Sequence, residues 1–175
     1  GEVTVTLNAE DNVETGETYY RINGGNWLKY TSHIAIDDDG EYTIDYYSVD
    51  AVGNEESVKS VSFKIDGTAP TASLSTPQAG YIYLFGNELM PRIFGDPALI
   101  IGGYTATATA SDDGSGVAYV TFTSGQGSVE DAVSPYQYNL PFYFPFGSDT
   151  LTVSVTDMAC NSANNVASVD YVKIL

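Results

Sequence analysis

Positions 3, 5, 7 and 9 of the chain are apolar, and positions 4, 6 and 8 are polar. A period of two places Val3, Val5, Leu7 and Ala9 on one face of a strand. Comparable short runs recur at residues 18–22, 27–30, 43–49 and 58–65, then at 72–76, 81–85, 99–110, 117–123, 136–140, 151–155 and 166–174. Between them lie turn-forming clusters such as Asn23-Gly24-Gly25-Asn26 and Asp37-Asp38-Asp39-Gly40, whose residues tolerate tight or left-handed backbone. No window carries the sustained i, i+3, i+4, i+7 apolar stripe of a helix. Evenly spaced short strands with turn punctuation predict an all-β chain of antiparallel sandwiches. The stretch at about 87–98 holds two prolines and Gly/Asp turns and is read as an irregular insert.

The chain repeats itself. Ser48-Val49-Asp50-Ala51-Val52-Gly53-Asn54 and Ser154-Val155-Thr156-Asp157-Met158-Ala159-Cys160-Asn161 each end a strand with Asp and close the turn with Asn four residues later. Each has an earlier acidic counterpart, at Asp11 and at Asp112-Asp113. One structural unit used twice is the expected cause. The segment Asp66-Gly67-Thr68-Ala69-Pro70-Thr71 reads as the linker, its proline suited to the first residue of a strand. Two modules are therefore expected, at 1–66 and 67–175. Asp38-x-Gly40-x-Tyr42 before a strand matches the tyrosine corner of immunoglobulin-like folds. In that order residues 3–9 take the place of the second strand, so module one is expected to lack its opening strand, as in a segment cut from a longer chain.

These residues carry a resemblance. Thr18-Tyr-Tyr-Arg-Ile-Asn-Gly-Gly-Asn-Trp27, Gly40-Glu-Tyr-Thr-Ile44, the 48–54 turn and the 66–71 linker resemble the Ig-like repeats of bacterial and archaeal cell-surface and secreted proteins, whose strands end in a D-x-x-G-N turn. Residues 72–175 resemble a longer module of that kind through Ala110-Ser-Asp-Asp-Gly-Ser-Gly-Val117 and the 157–161 turn. Cys160 departs from the pattern, standing where the family has glycine. The resemblance implies tandem immunoglobulin-like sandwiches that are not enzymes. It also implies an extracellular or cell-surface location, in adhesins, surface layers or the tails of secreted hydrolases.

Charge narrows the partners. The net charge of −17 repels nucleic acid and anionic membranes, and no apolar run reaches membrane-spanning length. His33 and Cys160 are the only histidine and cysteine and fall in different modules. No nucleophile-elbow or zinc-helix motif accompanies them, so no catalytic residue is assigned. The expected role is a structural spacer, with neighbouring domains of the same polypeptide or a surface array as partners. The alternative is an accessory module that binds polysaccharide for a secreted hydrolase.

No cofactor is required, but calcium suits the acidic turns, because it takes six to eight oxygens from carboxylates, amides and carbonyls. In a sandwich the loops bearing Asp112, Asp113, Asp157 and Asn161 fall at one end, and the linker's Asp66 is expected to approach them. Asp11, Asp50 and Asn54 are the equivalents in module one. The competing reading makes the same Asp and Asn side chains Asx turns, bonded to nearby backbone N–H groups. For a ligand or partner, Tyr19 and Tyr47 are candidates on one strand face, and Met90 and Phe94 in the insert. Lys173 stands alone in the last strand, without the pattern of an isopeptide crosslink.

Overall fold

The computed structural model describes residues 3–10, 15–93, 96–140 and 146–174. The described residues contain strands and turns and no helix. They divide into two compact units, Gly1–Gly67 and Thr68–Leu175.

Unit one has six strands: β1 (Val3–Val5), β2 (Thr15–Ile22), β3 (Leu28–Lys29), β4 (Ile34–Ile36), β5 (Gly40–Asp50) and β6 (Lys59–Ile65). β1 and β4 form one antiparallel pair, and the other sheet runs β3-β2-β5-β6. Alternation works as the pattern demands. Ile34, Ile36, Ile44 and Ile65 are buried, with Val3, Val5, Tyr20, Ile22, Tyr42, Tyr46 and Phe63 packed around them. The strand β4 was not legible in the sequence, because three residues give too little period to register. Tyr42 Oη donates to the Asp38 carbonyl at 3.0 Å, which is the bond of a tyrosine corner.

Unit two has ten strands. They are β7 (Thr71–Thr76), β8 (Tyr81–Leu84), β9 (Asn87–Pro91), β10 (Ala98–Ile101), β11 (Thr105–Ser111), β12 (Val117–Ser124), β13 (Gly127–Asp131), β14 (Tyr136–Asn139), β15 (Phe146–Asp157) and β16 (Ser162–Ile174). One sheet runs β13-β12-β15-β16-β10-β8-β9 and the other β14-β11-β7. Between them lie Tyr83, Ile100, Ala106, Ala108, Val120, Phe122, Leu151, Val153, Val155 and Tyr171, all with 1% exposure or less.

Three features depart from the sequence expectation. The larger sheet is mixed, since β10 runs parallel to both β8 and β16. The stretch expected to be irregular begins as a strand: β9 pairs antiparallel with β8 across a turn at Phe85-Gly86, and β10 opens at Ala98. The run at 99–110 is two strands in different sheets, not one. Gly102 breaks it with φ +86, and a Cβ there would meet the Phe85 ring at 2.5 Å, so only glycine fits.

Candidate metal centre

The core face of β15 continues into a carboxylate. Leu151, Val153, Val155 and Asp157 point the same way, and Asp157 is 1% exposed. The turn after it explains how an acid survives there. Asp157 Oδ1 accepts the Asn161 backbone N–H at 2.8 Å, and Oδ2 accepts Asn161 Nδ2 at 2.8 Å. The Asp157 N–H donates to the Asn161 carbonyl at 3.0 Å.

Unit one builds the same device. Asp50 Oδ1 accepts the N–H groups of Asn54 and Val52 at 2.8 and 2.9 Å, Oδ2 accepts Asn54 Nδ2 at 2.7 Å, and the Asp50 N–H reaches the Asn54 carbonyl at 3.0 Å. The backbone N–H of Asn54, then its side-chain amide, holds the Asp50 carboxyl below its ordinary range. Gly53 has φ +93 and Cys160, at the matching place, φ +70. The left-handed conformation that glycine takes in unit one is therefore kept in unit two by a residue that pays a steric cost for it.

The loop before β12 supplies the second carboxylate of unit two. Asp112 Oδ2 accepts the N–H groups of Gly114 and Gly116 at 3.1 and 2.7 Å. Its other oxygen, Oδ1, is buried and has no hydrogen-bond donor among the described residues. The Asp112 and Asp157 carboxylates approach within 4.8 Å. Two bonds join their loops: Met158 N–H to the Gly116 carbonyl at 2.9 Å, and Ala159 N–H to Ser115 Oγ at 3.1 Å. Two acids this close, with one buried oxygen left without a donor, offer oxygen ligands of the kind a hard cation takes. The sequence reading missed Ser115 and the two glycines, although Asp-x-Gly-x-Gly is the spacing that lets one carboxylate oxygen collect two N–H groups.

Asp113 is exposed, and Asp66 is half-buried directly after β6 in unit one. Asp11 and Phe94 lie outside the described residues. Met90 is exposed on β9. Tyr19 and Tyr47 face each other across β2 and β5 with ring centroids 5.4 Å apart, and Trp27 stands edge-on to Tyr47 at 4.8 Å. Arg21 caps the indole at 4.7 Å and pairs with Asp45 at 2.8 Å. This cluster stabilises the sheet through cross-strand pairs and also presents rings and polar groups on the outer face. His33 and Cys160 are both exposed, one in each unit.

No protein-family model matches the chain, and no curated protein matches it. Among solved structures, the fibronectin(III)-like modules of Clostridium thermocellum CbhA match over 99% of this chain and 85% of theirs, at 18% identity and a TM-score of 0.51. The D00-D0 domain of intimin aligns over 98% of this chain and 92% of its own, at 11% identity and a TM-score of 0.39. The first likeness is one of fold. The chain is all-β, built of immunoglobulin-like and fibronectin III-like sandwich modules.

Proposed function

We propose that the chain is a non-enzymatic extracellular module, serving as a structural spacer in a microbial cell-surface, surface-layer or adhesin-type protein. The observation that carries this reading is the use of the polar turn residues. Asp50, Asn54, Asp157 and Asn161 spend their hydrogen bonds on locking their own turns, as scaffold residues do. The sandwich likeness to fibronectin(III)-like modules supports it at the level of fold. Partners are then neighbouring domains of the same polypeptide or array. The test is replacement: exchange the chain, within its parent protein, for an unrelated sandwich pair of equal length. A spacer predicts that the parent keeps its activity. Loss of retention on polysaccharide would favour the accessory binding module, with Tyr19 and Tyr47 as its contact residues.

A calcium ion at Asp112 and Asp157 belongs to this proposal, since an orphaned buried carboxylate oxygen is stabilised by a cation. The ion would stiffen the joined loops. Melting in millimolar calcium is expected to exceed melting in EDTA. Binding linkage supplies about 2.7 kcal/mol when calcium stands 100-fold above its Kd. Asp112→Asn should remove the difference. An identical melt in calcium and EDTA for the unaltered chain sinks the site.

A further inference from the structure

The path of the chain through unit two gives it a mechanical property. β7 begins at Thr71 opposite Ser111 and ends at Thr76 opposite Thr107. Ser111 leads through the Asp112 loop into Val117, which pairs with Asp157. The chain therefore enters at the end of the sandwich that holds the acidic turns. β16 starts at that same end, with Ser162 opposite Thr156, and runs the length of the sandwich. It finishes with Ile174 opposite Phe146 and Ile101, and its carbonyl accepts the Gly102 N–H at 2.9 Å. Entry and exit lie at opposite ends, and β7 and β16 run in the same sense in opposing sheets.

We infer that unit two bears tension along the chain in shear. A pull on both ends draws β7 one way and β16 the other, each along its own axis. Ladder hydrogen bonds lie across the strands, so they are loaded together and not opened one at a time. β16 is anchored on both sides, antiparallel to β15 and parallel to β10. β7 has one neighbour, β11, and that is where reinforcement appears. Its outward side chains form a hydroxyl ladder with β11: Thr71 with Ser111 at 3.0 Å, Ser73 with Thr109 at 2.9 Å, and Thr76 with Thr107 at 2.9 Å. Single hydroxyl bonds of this kind add little to equilibrium stability. Spaced along the one strand that tension would slide, they add cross-links in the loaded direction. The inward residues, Ala72 and Leu74, pack on the core. The β7–β11 ladder is the clamp, and the inference deepens the spacer reading by giving the spacer a load.

The test is single-molecule pulling of the full chain. Unit two is recognised by the release of roughly 350 Å of chain, against roughly 220 Å for unit one, at about 3.4 Å per residue. Forced unfolding reports the barrier to unfolding, not the equilibrium stability. Pulled from its two termini, unit two should unfold at several-fold higher force than when pulled between the N-terminus and the exposed thiol of Cys160. That thiol lies in the turn at the entry end, where β7 is peeled and not slid. Equal forces in the two geometries overturn the inference. A second variant, Ser73→Cys with Thr109→Cys in a Cys160→Ser background, locks β7 to β11. Oxidation should raise the force and hide ~35 residues of the released length. A shortened release at unchanged force would show that β7–β11 is not the clamp. The replacement experiment on the parent protein is independent of pulling, so failure here and failure of the spacer reading are distinguishable.

Discussion

Replacing Phe122 with alanine should lower the melting temperature of unit two by about 12–40 °C. Phe122 is fully buried on β12, directly opposite Val153 of β15, and its ring stacks on Tyr138 of the opposing sheet at 5.7 Å with the planes 13° apart. It therefore bridges both layers. Phe→Ala in a packed core costs about 3–5 kcal/mol, as lost transfer energy plus a cavity that the surroundings only partly close. For a unit of about 100 residues each kcal/mol moves the midpoint by about 4–8 °C. Calorimetry of the full chain measures the shift, with Val129→Ala as a control. Val129 is exposed on β13, and such a change should stay within about 0.5 kcal/mol. If both variants melt together with the unaltered chain, the Phe122 contact is not part of a close-packed core.

Replacing Lys173 with methionine should stabilise the chain near neutral pH. The alternation of β16 places Val169, Tyr171 and Lys173 on the core face, and Lys173 is 2% exposed. Its Nζ donates to the Leu140 carbonyl at 2.6 Å, and no carboxylate pairs with it among the described residues. Burial alone pulls the ammonium below its ordinary value of 10.5. The sign follows from linkage. The folded state disfavours the protonated form, so the penalty is fully present below the folded pKa. It is relieved as pH rises from there toward the unfolded value near 10.5. Methionine fills similar volume without a charge and loses one charged hydrogen bond, for a net gain of about 1–2 kcal/mol. Denaturant melts at several pH values check this. The gain should be largest at pH 7 and shrink toward pH 10. A variant that is less stable at pH 7, with no convergence at alkaline pH, refutes the account.

The alternation at 3–9 announced β1, although only Val3–Val5 pairs as a strand, and that at 58–65 announced β6, whose dry face is confined to Phe63 and Ile65. Tyr42 announced its corner because Asp-x-Gly-x-Tyr fixes both the turn and the reach of the hydroxyl. The twin Asp-to-Asn turns were legible as a repeat, since side-chain locking is local and needs only four residues. What was not legible is non-local. Parallel pairing of β10 with β8 and β16 leaves no mark on a four-residue run, and the switch of sheet at Gly102 looked like a gap in one strand. Asp157 and Lys173 are both charged residues on buried faces. Composition places such residues outside, and only the fold shows which of them the core has enclosed. The pairing of Asp112 with Asp157 depended on loops brought together across the sandwich, and the turn pattern pointed to it without fixing the orphaned oxygen.

Among the described residues the seven-stranded sheet of unit two ends at β13 and β9, and both edge strands carry guards. β13 carries Glu130 and Asp131. β9 carries Glu88 and closes on Pro91, which has no N–H to offer a further strand. At both edges a further strand would meet like charge or a missing donor, and the net charge of −17 adds repulsion between copies, so templated growth into fibres is disfavoured.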